Sequence, residues 1–147
     1  VDAERTRALV ELARPMSVTF HRAFDVTRDP YQALETLIEL GIDRVLTSGQ
    51  EPNALEGLDL IADLVRAAGE RIVVMPGAGI TERNMHKIVA ASGARELHVY
   101  APVDVPSRMA YRNPRVYMGG ELRPPEYSVS TTDAGRIRAL IEALALH

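Results

Sequence analysis

The sequence predicts an α/β fold in which parallel strands alternate with helices packed on them. After one N-terminal helix, a short strand rich in β-branched residues leads through a loop into a helix, and residues 17–147 hold about four such βα units. Such alternation is typical of a parallel sheet. A (βα)₈ barrel needs eight units and typically about 250 residues. The pattern therefore fits the rear half of a barrel, and it also fits a doubly wound sheet of about four or five strands.

The first βα unit shows the pattern most clearly. Residues 1–14 form the first predicted helix, and residues 17–24 form the first predicted strand. Asp29-Pro30 predicts the start of the next helix, because an aspartate N-cap followed by proline is a preferred beginning. Gly41 ends that helix, since glycine readily adopts the conformation that closes a helix.

The rest of the chain repeats the same order. Further strands are predicted at residues 43–47, 71–75 and 96–100, and further helices at residues 54–68, 81–92 and 132–144. A long loop is predicted over residues 102–130.

Composition restricts the kind of protein. The 147 residues are 46% hydrophobic and 25% charged, which is ordinary for a globular chain, so we predict a single barrel-type domain over residues 1–147. The formal net charge is −3 and there is no polybasic tract, so we expect no nucleic-acid partner. No apolar run reaches the roughly 20 residues that span a bilayer, so we expect no membrane partner.

Cysteine usage and the first residue bear on the chemistry and the location. The chain contains no cysteine, which excludes disulfides, thiolate catalysis and cysteine-based metal sites. It begins with Val1 rather than methionine, so we expect either that a segment has been removed upstream or that this is a piece of a longer chain. No signal peptide is recognisable, so we expect a cytoplasmic location.

Strand alternation predicts that polar side chains of two strands face one interior. The apolar residues of the first and last strands suit the helix layer: Val18, Phe20, Leu97 and Val99. We therefore expect the residues that alternate with them to face inward: Thr19, His21, Glu96 and His98.

Side chains near the strand ends are the candidates for catalysis. They are His21, Asp25, Glu96 and His98. Either histidine would be the general acid or base, and either acid its partner. The carboxyl ends of the strands carry the active site in barrels and in open α/β sheets. The alternative interpretation of Glu96 is a satisfied network in the core.

The loops that follow the first three strands contain the candidates for ligand binding. They are Arg22, Ser48, Gln50, Gly77 and Gly79. The glycines let backbone N–H groups approach a ligand, and Arg22 could clamp an anion, so a small phosphorylated or carboxylated ligand is predicted. The alternatives are a simple tight turn at the two glycines and an ion pair between Arg22 and Asp25.

A set of motifs runs in unbroken order through nearly the whole chain. They are Thr19-Phe20-His21-Arg22-Ala23-Phe24-Asp25, Leu46-Thr47-Ser48-Gly49-Gln50, Val73-Val74-Met75-Pro76-Gly77-Ala78-Gly79-Ile80-Thr81, Asn84, Glu96-Leu97-His98, Met109, Arg112-Asn113, Met118-Gly119 and Glu126-Tyr127-Ser128. Together these motifs resemble the CutC family, whose members are usually named copper homeostasis proteins.

The resemblance implies a TIM-barrel-like fold, of which this chain would be the C-terminal part. It also implies a cytoplasmic location, a homo-oligomer and a role in copper homeostasis. The family often has a small residue after the histidine of Glu-x-His, followed by Ala and Arg, and Val99-Tyr100-Ala101-Pro102 departs from that pattern.

Copper is suggested by the family name alone, and no metal ligand is assigned from the sequence. Cu(I) prefers thiolate and thioether ligands, whereas the five methionines form no Met-x-x-Met cluster. A divalent ion could instead take nitrogen and oxygen ligands from the four catalytic candidates.

Three functions therefore stay open at the level of the sequence. The first is copper homeostasis, with a metal ion or a small molecule as partner. The second is a barrel enzyme acting on a small anionic substrate, and the third is an oligomeric scaffold. The sequence does not decide whether the protein is an enzyme.

Overall fold

A computed structural model describes residues 1–115 and 126–145 of the chain. The motif residues Met118 and Gly119 lie outside the described residues. The chain divides into two compact units, Val1–Val99 and Tyr100–His147. None of the helices in the described ranges has the length and apolar character that crossing a membrane requires.

The first unit alternates helices with parallel strands. Its elements are α1 (Ala3–Ala13), β1 (Thr19–Phe20), a 3₁₀ helix (Arg22–Val26), α2 (Pro30–Glu39), β2 (Arg44–Thr47), α3 (Leu58–Ala68), β3 (Val73–Pro76) and α4 (Met85–Ser92). The strands form one parallel sheet in the order β1-β2-β3, in which Arg44 pairs with Thr19 on one side and Val73 on the other. The predicted α/β fold and the presence of its first three strands are confirmed. The extent predicted for the first strand, residues 17–24, is wrong, because pairing is confined to Thr19–Phe20 and the chain turns into the 3₁₀ helix at Arg22.

Aspartate side chains begin two of the helices. The Asp2 carboxylate accepts a hydrogen bond from the Arg5 N–H at 3.0 Å at the start of α1. The Asp29 carboxylate accepts from the N–H groups of Tyr31 and Gln32, just before α2. These N–H groups have no partner within their own helix, so the aspartates stabilise the helix ends. The predicted start at Asp29-Pro30 is confirmed.

Two other helices begin later than the sequence pattern predicts. The start predicted at residue 54 is wrong, since α3 begins at Leu58; in the turn before it, Asn53 Oδ1 accepts from the N–H groups of Leu55 and Glu56. The start predicted at residue 81 is also wrong, since α4 begins at Met85; in the turn before it, the Thr81 N–H donates to Asn84 Oδ1. In both places an asparagine side chain stabilises a turn that precedes the helix.

The core of the first unit lies between the sheet and its helices. Its buried apolar side chains include Val10, Phe24, Leu34, Leu37, Val45, Leu64 and Val74. Burying one such side chain fully contributes roughly 1.5–3 kcal/mol. Val18 and Phe20 pack against this cluster, on the side that strand alternation predicts.

The opposite face of the sheet is only partly covered. Its residues alternate with the buried strand residues and are half-buried or exposed: Thr19, His21, Arg44, Leu46, Val73 and Met75. We call this surface the open face. Its alternation with the core agrees with the predicted inward direction of Thr19 and His21.

The strand predicted at residues 96–100 is wrong. Only His98 extends the parallel sheet, through a single bridge to Gly77 in which the His98 N–H donates to the Pro76 carbonyl at 2.8 Å. The alternation of Leu97 and Val99 suggests a strand, but it does not by itself supply the backbone pairing that a strand needs.

The second unit contains an antiparallel pair of strands followed by a helix. The elements are β4 (Pro102–Pro106), β5 (Ser128–Thr132) and α5 (Ala134–Ala145). The loop predicted over residues 102–130 is therefore wrong at both ends. Pro102 and Pro106 suggest a loop, but they stand at the two ends of β4, where a strand tolerates a missing N–H. Val105 and Val129 pair across the two strands.

Candidate functional site

Asp25 is the centre of a hydrogen-bond network at the carboxyl end of β2. It lies on the 3₁₀ helix, and only 7% of its side chain is exposed. Its carboxylate accepts from the Thr47 hydroxyl, from the N–H and hydroxyl of Ser48 (each 3.0 Å at the nearest), from the Gln50 N–H (3.3 Å) and from Arg22 Nε (2.7 Å). We call these residues the Asp25 network. It ties the 3₁₀ helix to the turn after β2.

The Asp25 network favours the ionised carboxylate. Burial by itself raises the pKa of Asp25, because a charge is poorly solvated in the protein interior. The hydrogen bonds from Thr47, Arg22 and the N–H groups of Ser48 and Gln50 outweigh burial and bring the pKa below its ordinary value. With all these donors engaged, the carboxylate is a weak base and a strong structural anchor.

Arg22 joins the network as an ion pair. Besides its bond to Asp25, its guanidinium donates to the Ser48 hydroxyl at 2.5 Å and to the Glu51 carbonyl at 3.4 Å. The ion pair with Asp25, one of the two interpretations of the sequence, is present. The side chain is 42% exposed, and binding of an anionic ligand by Arg22 stays a prediction.

The turn that holds Ser48 and Gln50 depends on two glycines in close contact. Gly49 and Gln50 have φ values of 73° and 60°. A Cβ atom on Gly57 would lie 2.0 Å from the Ser48 carbonyl oxygen, and one on Gly49 would lie 2.3 Å from the Gly57 carbonyl oxygen. The backbone can approach so closely only because neither residue has a side chain.

His21 stands at the edge of this network without contacting Asp25. Its Nδ1 accepts a hydrogen bond from the Ala23 N–H at 2.9 Å, which caps the 3₁₀ helix, and its ring stacks on Phe20 with 5.7 Å between centroids. The residue is exposed. The tautomer with the proton on Nε2 suits this cap, since Nδ1 must accept.

Glu96 lies at the opposite end of the sheet from Asp25. It takes two hydrogen bonds from Arg44, at 2.6 and 3.1 Å, and Arg44 is the first residue of β2 whereas Thr47 is the last. Three residues of strand separate them by about 10 Å. The hydrogen bonds from Arg44 lower the pKa of Glu96. This pairing agrees with the satisfied-network interpretation of Glu96.

His98 is at the carboxyl end of the sheet but far along it from His21. It is exposed and follows β3 through its bridge to Gly77. Between β1 and the His98 position lie three strand spacings, or about 14 Å along the sheet. The two histidines are therefore not neighbours within the first unit.

Gly77 and Gly79 belong to the turn after β3. A Cβ atom on Gly77 would lie 2.5 Å from Leu46 Cδ1 and 3.2 Å from His98 Cβ. Gly79 has a φ of 69°, and the residue before it, Ala78, has a φ of 74°. Both glycines thus have a packing or conformational reason to be glycine, and their role in ligand binding stays a prediction.

Three residues of the site were not among the candidates from the sequence. Thr47 binds Asp25, Arg44 binds Glu96, and Asn84 donates from Nδ2 to the Gly79 carbonyl at 2.8 Å. A charged residue inside an apolar strand is a signal that could have identified Arg44. No comparable signal distinguishes Thr47 from an ordinary strand residue.

The residues available for a metal are not assembled into one group. Within residues 1–115 and 126–145, no three His, Asp or Glu side chains come together in a way that could hold a metal ion. Each of the two candidate acids is engaged by an arginine. The four catalytic candidates therefore do not fit a nitrogen and oxygen metal site within this unit.

Comparison with known proteins identifies the relatives of this chain. The sequence model of the CutC family matches residues 1–102. Copper homeostasis protein cutC homologs from Mus musculus and Homo sapiens are each 51% identical to it over 140 residues, covering 95% of this chain and 52% and 51% of their own. A CutC family protein from Parabacteroides distasonis is 50% identical over 141 residues, covering 96% of this chain and 58% of its own. The chain thus spans about half the length of the curated relatives it matches.

A solved structure gives the same relationship at the level of the fold. The CutC protein of Streptococcus agalactiae superposes with a TM-score of 0.63 at 30% identity, over 67% of this chain and 49% of that protein. The resemblance inferred from the motifs is confirmed. Because a family match covers residues 1–102 and the relatives are about half identical along almost its entire length, this chain belongs to the CutC family.

Proposed function

We propose that this chain acts in copper homeostasis. The observation that carries the proposal is its 51% identity, over 95% of its length, to mouse and human proteins named for that role. Identity at this level over almost the whole chain supports the same role for this chain.

The fold proposed with this function is TIM-barrel-like. The strands of the first unit lie side by side in chain order, and helices cover one face of the sheet. His98 pairs with Gly77 beside β3, at the position where a fourth strand would lie. The open face, with Arg44 paired to Glu96, has the mixed character expected of residues inside a barrel. We propose a cytoplasmic location on the resemblance alone.

The proposed role concerns how the cell tolerates copper, and it does not depend on tight Cu(I) binding by this chain. Cu(I) favours thiolates, and the chain has no cysteine. The alternative of a barrel enzyme acting on a small anion is not favoured, because Asp25 and Glu96 are both held by arginines at opposite ends of the sheet.

Copper tolerance tests the role. The chain is expressed in its native coding context in a bacterial strain that lacks its own CutC-family gene, and growth is followed as copper is raised. Restored tolerance is expected, and Asp25→Asn should restore less than Asp104→Asn, which changes an exposed residue of β4. Unchanged copper sensitivity, with folded protein present in the cells, would overturn the proposal.

A chelator competition tests the manner of action separately. Purified chain is mixed with Cu(I) and an equimolar Cu(I) chelator such as bathocuproine disulfonate, and the absorbance of the chelator complex is measured. The copper should stay with the chelator. Transfer of Cu(I) to the protein would show that the chain binds Cu(I) tightly. The proposed role in copper homeostasis would be unaffected by that result.

A further inference from the structure

Two turns at neighbouring strand ends share an uncommon backbone shape. Gly49 and Gln50 after β2 have φ values of 73° and 60°, and Ala78 and Gly79 after β3 have φ values of 74° and 69°. Since Thr47 pairs with Pro76 across the two strands, these left-handed pairs stand at the same level of the sheet. Such a conformation is rare for a residue other than glycine, and each turn contains one such residue.

The first of these turns already holds an oxyanion. The N–H groups of Ser48 and Gln50 donate to the Asp25 carboxylate, at 3.0 and 3.3 Å. The turn thus shows, within this protein, that a left-handed pair at a strand end presents backbone N–H groups to a carboxylate. Concave groups of backbone N–H donors are a general kind of anion site.

In the second turn the carbonyl groups of Ala78 and Gly79 accept hydrogen bonds, whereas the N–H groups of Gly79 and Ile80 donate none to the described residues. The Ala78 carbonyl accepts from the Ala54 N–H at 3.0 Å, and the Gly79 carbonyl accepts from Asn84 Nδ2 at 2.8 Å. In a trans peptide the N–H points opposite to the carbonyl, so the N–H groups of Gly79 and Ile80 point away from these donors. Neither of these N–H groups donates a hydrogen bond to any part of the chain that the structure describes.

The second turn is held in place before any ligand arrives. A Cβ atom on Gly79 would lie 2.9 Å from Asn53 Cβ, so the turn packs directly against that side chain. Asn84 ties its far end through Oδ1 to the Thr81 N–H and through Nδ2 to Gly79. A prearranged pair of donors binds more strongly than one that must be ordered on binding.

We propose that the turn from Gly77 to Ile80 binds a small oxyanion, the carboxylate or phosphate group of a ligand, through the N–H groups of Gly79 and Ile80. The exposed His98, whose Cβ lies next to Gly77, borders this site. In the neighbouring turn the Asp25 carboxylate already occupies the N–H groups of Ser48 and Gln50. In the turn after β3 the Gly77 N–H donates to the Thr47 carbonyl at 2.9 Å, which leaves the N–H groups of Gly79 and Ile80 for an external ligand. This site goes beyond the copper role and does not depend on it.

Residue-resolved NMR tests the site without reference to activity. Uniformly ¹⁵N-labelled chain is titrated with inorganic phosphate, with formate and with chloride at constant ionic strength. The amide signals of Gly79 and Ile80 should shift saturably with phosphate or formate, with a dissociation constant below about 10 mM, and not with chloride. Saturation with phosphate or with formate shows whether the site prefers a phosphate or a carboxylate. The signals of Ser48 and Gln50 should not saturate.

A matched pair of variants completes the test. Asn84→Ala removes the side chain that orients Gly79 and should weaken the saturable response at least about fivefold. Thr36→Ala, which removes an exposed hydroxyl of α2, should leave it unchanged. The proposal is overturned if no saturable shift occurs at Gly79 and Ile80, if Ser48 and Gln50 respond equally, or if both variants bind like the unmodified chain. Should Asn84→Ala not fold, the titration of the unmodified chain decides alone.

Discussion

At the scale of single residues, Asp25 connects more of the chain than any other side chain described at the strand ends. Its carboxylate receives donors from the 3₁₀ helix, from the end of β2 and from the turn that follows. Such a buried, fully bonded carboxylate is stabilising only as long as it keeps both its charge and its partners.

Replacing Asp25 by asparagine should destabilise the fold. In Asp25→Asn the side chain keeps its shape. Its NH₂ group cannot accept the hydrogen bonds that one carboxylate oxygen accepts, and its neutral carbonyl accepts more weakly than the other carboxylate oxygen. We expect the free energy of unfolding to fall by about 2 to 3 kcal/mol. Urea-induced unfolding measures the change, and Asp104→Asn on exposed β4 should change it by less than about 0.5 kcal/mol. Equal effects of the two variants would contradict the structural role of Asp25.

The lowered pKa of Asp25 predicts how stability depends on pH. A carboxyl group whose pKa is lower in the folded than in the unfolded state contributes stability that is complete above its unfolded pKa of about 4 and is lost as pH falls through the folded value. We expect the free energy of unfolding to be flat from about pH 7 to 5 and to decline below about pH 4. Asp25→Asn should make the acidic decline shallower, as urea unfolding in a pH series would reveal. An unchanged slope would show that other acids cause the decline.

The sequence predicts only in part which residues come together in the site. That Asp25, Arg22 and Ser48 lie near strand ends follows from their positions after short apolar strands. The ion pair of Arg22 with Asp25 was one interpretation of the sequence. That Thr47 and Ser48 bind the same carboxylate could not be predicted, because it depends on the 3₁₀ helix that places Phe24 in the core and Asp25 toward β2. Glu96 is a second example, because the register of the strands alone does not predict that Arg44 is its partner.

At the scale of elements, the junction between β2 and α3 depends on the contact of Gly49 with Gly57. Gly57 has an ordinary negative φ of −85°, so steric contact and not backbone conformation is what requires glycine there. A single added methyl group would push the Ser48 carbonyl and the start of α3 apart.

The substitution Gly57→Ala isolates that contact. We expect a loss of about 2 kcal/mol or more, because backbone atoms cannot move aside as a flexible side chain would. Gly93→Ala is the matched control: it lies in the left-handed helical region, with a φ of 70°, and its added Cβ would meet only Val65 Cγ1 at 3.9 Å, so only the conformational cost of about 1 kcal/mol applies. Thermal or urea unfolding measures both variants. A smaller loss of stability for Gly57→Ala than for Gly93→Ala would contradict the close approach.

The pairing of Arg44 with Glu96 should matter little for stability in this chain. The two side chains are 33% and 37% exposed, so water screens their attraction. We expect Glu96→Gln to lower the free energy of unfolding by less than about 1 kcal/mol, and Glu70→Gln, at the more exposed pair with Arg95, by less still. Urea titrations compare them. A loss above about 2 kcal/mol for Glu96→Gln would mean that the open face is covered in solution.

The helix boundary that carries a direct capping signal was predicted well, and the boundaries that follow a turn were not. Asp29-Pro30 identifies the start of α2 because a cap is a local signal. The starts of α3 and α4 were missed because a turn stabilised by Asn53 or Asn84 precedes each helix, and the apolar pattern does not distinguish that turn from the helix. The ribbon of β4 and β5 was missed because its partner strands are far apart in sequence.

At the scale of the whole molecule, the open face and the outer edge of β1, which pairs with no strand among the described residues, lead us to propose self-association. Parallel sheets are normally covered on both faces, and an exposed strand edge is a template for pairing. The half-buried Leu46, Val73 and Met75 are apolar side chains on the open face. The homo-oligomer implied by the family resemblance is consistent with this surface.

Light scattering coupled to gel filtration tests that proposal on the 147-residue chain. We expect an average mass above that of one chain, rising with concentration. Met75→Lys should shift it toward one chain, whereas Leu12→Lys, at an 82% exposed apolar residue of α1, should not. A monodisperse single chain that unfolds cooperatively at about 100 µM would contradict association through the open face.

The fold class was the most predictable property of the molecule. The alternation of short β-branched segments with glycine-ended helices is repeated, so errors at individual boundaries leave the α/β assignment intact. The fourth strand was predicted wrongly, because the alternation of Leu97 and Val99 is typical of a strand although only His98 pairs.

The order of the strands in the sheet also has a consequence for biosynthesis. Because β1, β2 and β3 lie side by side in the order in which they are translated, each strand emerging from the ribosome finds its neighbour already made. The nascent chain can therefore grow its sheet one βα unit at a time, and no strand has to wait for a distant downstream segment before its backbone begins to pair.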